Sequence, residues 1–433
     1  MYTAYNIILF ITAFFLVPYY LLKMILTGKY RKSLGPKFGL IKPEIFKKMG
    51  GSPRIWVHAV SVGEVTAAAP IISSLRKNFP SACILLSTST ETGQEMAERI
   101  APDATSYIYY PLDIPFVIRR VINLVRPDIF VTVETELWPN FIRICRNEGV
   151  KVVMVNGRVS PRSFKNYFIT RFFWREVLST VNEVGVISEV DADRIRALGA
   201  PSSKVHVLGN SKYDSLAAMV NPKLKEEISR KLNIAPGSRV FVAGSTHAGE
   251  EEIILDVYRK LLEEYPDFKL IFIPRHIERG NEVCSLASEA GFSDCIMMTG
   301  IKNGRERSNE RVIIVDVIGE LFKVYSLATI VFCGGSLVPR GGQNILEPAA
   351  WGKVIFYGPS MEDFTDEKAL LEESGAGIAI KNGDELLKGI LGLLKNPETL
   401  LRKGEKGRKK VISNMGASRR YAELVGKVFE TNM

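Results

Sequence analysis

The chain holds few of the residues that most metal and covalent chemistries need. Four histidines occur in 433 residues, and no His or Cys cluster has metal-ligand spacing. The five cysteines, Cys83, Cys145, Cys284, Cys295 and Cys333, include no Cys-x-x-Cys pair. Several lie in apolar runs, which reads as buried free thiols in a reducing compartment. No Walker A sequence and no dinucleotide-binding glycine fingerprint is present. No serine sits in a nucleophile elbow. Internal repeats and long low-complexity segments are missing, which excludes solenoids and disordered arrays. No acidic residue precedes Glu44.

What remains is globular in character, with 46% hydrophobic and 24% charged residues. A chain of this length is long for one core, so two domains are expected. Fifty-seven Lys and Arg outweigh 47 Asp and Glu, for a net charge of +10. That excess suits an anionic partner: a phosphorylated substrate, a membrane surface or nucleic acid. Composition does not choose among them.

Residues 4–22, AYNIILFITAFFLVPYYLL, carry no charge. At 1.5 Å rise this run spans roughly 28 Å, close to a bilayer core. It predicts a membrane anchor over residues 1–27. Lys23, Lys29, Arg31, Lys32 and Lys37 follow it, which puts the rest of the chain on the cytoplasmic side. A cleaved signal peptide would need its basic residues before the run. Pro18 and the following tyrosines keep an interfacial or tilted helix open.

Beyond the anchor, short β-branched runs alternate with amphipathic helical patterns. Strands are expected at Arg54–Val60, Ala82–Ser87, Ile129–Val133, Val152–Asn156 and Val184–Ile187. Polar residues 213–238 interrupt the series. It resumes at Val240–Ala243, Leu270–Ile273, Val312–Val315, Ile330–Phe332 and Val354–Phe356. Two such series predict two doubly wound α/β domains, with ligands outside the carboxyl ends of the strands in a cleft between them. The expected domains are 28–212 and 213–433, with the last helix able to pack back on the first.

Polar and glycine-rich residues follow the strands. His58-Ala-Val-Ser-Val-Gly-Glu64 ends the first one. Glu64 reads either as a helix-start charge or as a general base. Glu134-Thr-Glu136-Leu-Trp-Pro-Asn140 follows the third. Arg158–Arg175 mixes five basic residues with aromatics and no acids, which fits an anionic lipid or membrane surface, an ordinary basic helix face, or single-stranded nucleic acid. The anchor favours the lipid. Lys212 stands in Gly209-Asn-Ser-Lys-Tyr-Asp214 and suits neutralisation of developing negative charge. Gly244–His247 before a helix offers amides for phosphate, and Pro274-Arg275-His276 puts an arginine at a strand tip. Ile318-Gly319-Glu320 opens another helix. Asn344 and Glu347, in Gly341-Gly-Gln-Asn-Ile345-Leu346-Glu347, lie three apart on one helix face.

In order and spacing, HAVSVGE, ETELWPN, NGR, GNSKYD, AGSTHAGEE, PRH and GGSLVPRGGQNILEPAAWGK resemble the Kdo (3-deoxy-D-manno-octulosonic acid) transferase family over residues 58–353. The resemblance implies a GT-B fold and inverting transfer of Kdo from CMP-Kdo to a tetraacylated, bisphosphorylated lipid A precursor at the cytoplasmic face of the inner membrane. It implies Glu64 as base, with Glu134 and Lys212 stabilising the transition state. CMP contacts map to Pro274, Arg275, Ile318, Gly319, Glu320, Asn344, Ile345, Leu346 and Glu347. No metal, no cofactor and no nucleic acid is implied. The competing classes are a uridine-nucleotide transferase, a GT-B-fold epimerase, and a non-enzymatic membrane tether, which would not need carboxylates gathered at strand ends.

Overall fold

The computed structural model describes residues 1–27 and 32–430, without the side chains of 17, 19–27, 215, 217 and 218. The expected basic flank at Lys29 and Arg31 therefore lies outside the described residues. The chain divides into two compact units. One comprises Met1–Ser215 with Asn414–Met433, and the other Leu216–Ser413.

The first unit is built on β1 (Arg54–His58), β2 (Cys83–Thr88), β3 (Ser106–Tyr109), β4 (Ile129–Val133), β5 (Lys151–Gly157), β6 (Glu183–Val186) and β7 (Val205–Val207). They form one sheet in the order β3-β2-β1-β4-β5-β6-β7, with every pair parallel. Alternation along each strand sends side chains to two cores. Trp56, Leu85, Phe130 and Met154 enter one, and Ile55, Val57, Leu86, Val131 and Val155 the other. A sheet covered on both faces needs unbroken apolar strands, which is why β1 and its neighbours read so plainly in sequence. The C-terminal helix Ala417–Glu430 belongs to this unit. Its Tyr421, Ala422 and Val425 lie in the second of these cores.

The second unit repeats the scheme with β8 (Val240–Thr246), β9 (Lys269–Pro274), β10 (Cys295–Met297), β11 (Val312–Ile314), β12 (Ile330–Cys333), β13 (Ile355–Tyr357) and β14 (Gly377–Ala379). The order is β10-β11-β9-β8-β12-β13-β14, again all parallel. Phe241, Phe272, Ile314, Phe332 and Phe356 fill one face of this sheet.

Two expectations need correction. The five cysteines are not all free: Cys284 and Cys295 are joined, with their Cα atoms 6.1 Å apart. The helix Gly280–Glu289 turns back into β10 and brings them within disulfide reach. Cys83, Cys145 and Cys333 are free and buried. The second correction concerns the anchor. A helix does run over Tyr2–Thr27, but among the described residues no helix is long and apolar enough to cross a membrane. Its first turns are committed to the protein. Tyr2 is buried and Leu9 packs on the core, the Tyr5 hydroxyl donates to Asp113 at 2.8 Å, and Asn140 donates to Asn6 at 2.6 Å.

Candidate active site

In the first unit the functional side chains gather where β1, β4 and β5 end. Glu64 lies in the first turn of the helix Val62–Asn78. Its carboxylate reaches back to accept from the Val60 amide at 2.7 Å and the Ser61 hydroxyl at 3.1 Å. Glu64 therefore does cap its own helix start, as a glutamate at this position can. It is also almost fully buried. Burial, with Glu136 and Glu134 adding their charge, raises its pKa to about 7 against the two hydrogen bonds. A carboxylate titrating near neutrality suits a general base.

Glu134 follows β4 in the left-handed region, with a φ of 59°. That conformation is uncommon outside glycine and marks a position held by its surroundings. Its amide donates to Val155 O at 2.9 Å, and its carboxylate takes the Lys212 ammonium at 3.0 Å. Lys212 is itself located by its neighbour. The Ser211 amide and hydroxyl donate to Asn156 on β5, and the hydroxyl also reaches Ala67 O at 2.8 Å. Burial and Glu134 raise the pKa of Glu136. Glu64, Glu134 and Glu136 thus form one electrostatically coupled group, and Lys212 is its paired cation. His58, at the end of β1, is kept uncharged near neutrality. It is buried against the Tyr110 ring, with centroids 3.7 Å apart, and burial lowers its pKa to about 3.

Two segments that the sequence flagged separately meet on this unit. Phe173, in the helix Arg171–Ser179, packs against Tyr2 and Tyr5 of the N-terminal helix at 5.6 and 5.7 Å. Around them Ile7, Phe10, Ile11, Phe14, Ile169 and Phe172 are exposed.

In the second unit the loops after β8, β9 and β12 converge. Gly334 is required by close approach: a Cβ there would meet Ser245 O at 2.4 Å. Gly342 has a φ of 79°, and a Cβ there would strike Met361 Sδ at 2.4 Å. Arg275 stands exposed after β9, its amide on Thr246 O at 2.9 Å, and no acidic side chain among the described residues pairs with its guanidinium. Asn344 stands two residues ahead of the helix Leu346–Ala350. Its side chain accepts from the Leu346 amide at 3.1 Å and donates to Glu347 at 3.3 Å. Ile345 and Leu346 are buried beneath them. Burial raises the Glu347 pKa to about 7, against that single hydrogen bond from Asn344. A carboxylate so sparsely satisfied has capacity left for ligand hydroxyls.

Two sequence readings change here. The amides expected to cradle phosphate near Gly244–His247 are partly taken. Glu250, fully buried, accepts from His247 N at 3.0 Å, Gly335 N at 2.7 Å, Ser336 N at 3.0 Å and Leu337 N at 2.9 Å. In sequence it was one of three glutamates at a helix start. The only clue was its position, since a carboxylate one residue ahead of a helix can serve amides from elsewhere. Glu320 also differs. Its carboxylate pairs with Lys231 at 2.8 Å and Lys323 at 3.4 Å. Burial raises its pKa, but these lysines outweigh that and leave it low. Ile318 and Gly319 stand beside it, Ile318 exposed. Pro274 closes β9. Among the described residues no group of three or more His, Cys, Asp or Glu could hold a metal ion.

Two parallel α/β units with carboxylates after the strands of one and a glycine-rich loop system in the other describe a nucleotide-sugar enzyme fold. A family model described as 3-deoxy-D-manno-octulosonic-acid transferase (kdotransferase) matches residues 32–215. The 3-deoxy-D-manno-octulosonic acid transferase of Haemophilus influenzae is 33% identical over 407 residues, covering 94% of this chain and 93% of the relative. That of Chlamydophila psittaci is 32% identical over 384 residues, covering 88% and 86%. The chain belongs to the 3-deoxy-D-manno-octulosonic acid transferase family of glycosyltransferases. Among solved structures, a UDP-GlcNAc 2-epimerase from Neisseria meningitidis superposes with a TM-score of 0.60 at 15% identity, covering 86% of this chain and all (100%) of that one. A glycosyltransferase from Rickettsia africae gives 0.55 at 16%, covering 86% and 98%. These neighbours place both units in the GT-B glycosyltransferase/epimerase fold and carry nothing about substrate.

Proposed function

We propose that the protein transfers Kdo from CMP-Kdo to a tetraacylated, phosphorylated lipid A precursor, with inversion at the anomeric carbon. The observation that carries the mechanistic part is Glu64, a buried carboxylate with its pKa near 7 beside the Glu134–Lys212 pair. Glu64 takes the proton from an acceptor hydroxyl, whose oxygen forms the new bond to the anomeric carbon as the bond to the CMP phosphate breaks. Lys212, steadied by Glu134, offsets negative charge developing during transfer. Arg275 meets the charge left on the phosphate.

CMP lies along Pro274 and Arg275, the Ile318–Gly319 turn with Glu320, and Asn344 to Glu347, where Glu347 accepts from ribose hydroxyls. With its carboxylate held by lysines, Glu320 contributes through its backbone. The reaction as proposed uses no metal and no cofactor, and nucleic acid is not a partner.

The protein acts at the cytoplasmic face of the inner membrane. In this reading the N-terminal helix lies in the interface, supported by Phe10, Phe14 and the exposed Ile169 and Phe172. Arg171, stacked on Phe168 at 4.7 Å, is placed for lipid phosphates. The test is incubation of the purified chain with CMP-Kdo and the lipid precursor, read by product mass. A Kdo adduct supports the reading. Turnover of a UDP-sugar instead, or epimerisation of UDP-GlcNAc, overturns it.

A further inference from the structure

A cavity opens at the end of the second sheet away from the loops that follow β8, β9 and β12. It measures about 490 Å³ and is lined at the amino ends of β8, β12 and β13 by Ser238, Thr329 and Val354. Its wall is mainly apolar, with Ile234, Pro236, Leu327, Leu400 and Leu401. Leu401 is left 73% exposed. The proposed donor residues follow the carboxyl ends of β9, β11 and β12, at the other end of this sheet, so this space is separate from them.

Lys353 also lines this cavity. Its ammonium has three N–H groups. One donates to Ala328 O at 2.6 Å, and no carboxylate among the described residues forms an ion pair with it. Lys225 and Glu226, both exposed on the helix Pro222–Lys231, bring opposite charges to the rim. Burial, with Lys225 nearby, lowers the Lys353 pKa to about 8. A desolvated cation is costly unless an anion meets it. An apolar wall with one convergent charge is the pattern of a small-molecule site.

We propose that this cavity binds a small amphipathic anion, one carboxylate or phosphate monoester on a compact apolar body, with its charge on Lys353. The apolar wall takes the body, and the two remaining N–H groups of Lys353 take the anion. Because Lys353 has no acidic partner to strand, Lys353→Met removes the charge without leaving another buried one.

The test is calorimetric titration of the full chain in saturating CMP, which fills the donor site. The probes are benzoate, phenyl phosphate and the neutral benzyl alcohol. One saturable site for at least one anion is expected, at least tenfold tighter than for the alcohol. Lys353→Met should bring that anion's affinity down to the alcohol's. Ser238→Phe, which fills the cavity and keeps the charge, should also lose it. Whether benzoate or phenyl phosphate binds more tightly assigns the carboxylate or the phosphate. No saturable anion binding, or anion binding unchanged in both variants, overturns the proposal and leaves Lys353 as a cap on the Ala328 carbonyl.

Discussion

The two units are variations on one six-stranded plan, and they differ in what they attach to it. Without β7 the first sheet reads β3-β2-β1-β4-β5-β6. Without β10 the second reads β11-β9-β8-β12-β13-β14, the same doubly wound order. Each has one further strand, on opposite edges. The chemistry diverges likewise. The first unit holds three coupled carboxylates and one paired lysine. The second holds glycines, an exposed arginine and a buried glutamate that organises backbone. Each raises one glutamate to about 7, Glu64 and Glu347, by burial in both cases. Glu64 also feels neighbouring like charges, whereas Glu347 has a single amide donor. Under the proposed function, a shared fold serves proton transfer in one copy and ligand recognition in the other, because function depends on strand-end residues rather than on the sheet.

The largest effect expected from breaking this division is on turnover. Glu64→Gln keeps a cap for the Val60 amide and removes the base, so turnover should fall on the order of a thousandfold. In the parent enzyme, activity should rise with pH through about 7 as Glu64 loses its proton. A flat profile would remove Glu64 from proton transfer.

Next is Glu250→Gln, whose amide cannot accept at both ends from four N–H groups. Urea unfolding should register a loss of about 2–3 kcal/mol, together with weaker CMP binding. Unchanged stability would mean the loop holds itself.

A smaller effect follows from linkage. The folded pKa of Glu64 exceeds its unfolded value, so the folded state binds more protons between about 4.5 and 7. Its contribution to stability therefore falls as pH rises through that window. Glu64→Gln should accordingly gain stability relative to the parent at pH 8 and not at pH 4, by on the order of 2 kcal/mol. An equal difference at both pH values would contradict the shift.

The smallest effect is a fraction of a proton. Ribose hydroxyls donating to Glu347 would lower its pKa, so CMP binding at pH 7 should release protons in buffers of different ionisation enthalpy. Glu347→Gln should abolish that release, and its persistence would place the titrating group elsewhere.

The sequence was most readable where burial is complete on both faces. The ten expected strands correspond to the ten interior strands, and the four missed, β3, β7, β10 and β14, are the four edges. The interior β11 and β13 are just as short but buried at every residue, whereas each edge strand leaves at least one residue only partly buried and so makes no unbroken apolar run. The positions of Glu64 and Glu134 were legible because motif and strand end coincide; that Lys212 would pair with Glu134 was not. Glu250 was not, because its partners at Gly335–Leu337 lie more than 80 residues away. The Cys284–Cys295 pair was missed because neither residue stands in a spacing motif. The apolar run at 4–22 gave length and hydropathy. It did not reveal that Tyr5 and Asn6 would bond to the folded unit.

The central claim is that chemistry resides in the first unit and nucleotide recognition in the second. Calorimetric titration of CMP into Glu64→Gln and Glu347→Ala tests it most directly. The account predicts affinity within twofold of the parent for Glu64→Gln and a loss of at least tenfold for Glu347→Ala. Lost CMP binding in Glu64→Gln, or parental binding in Glu347→Ala, would contradict it.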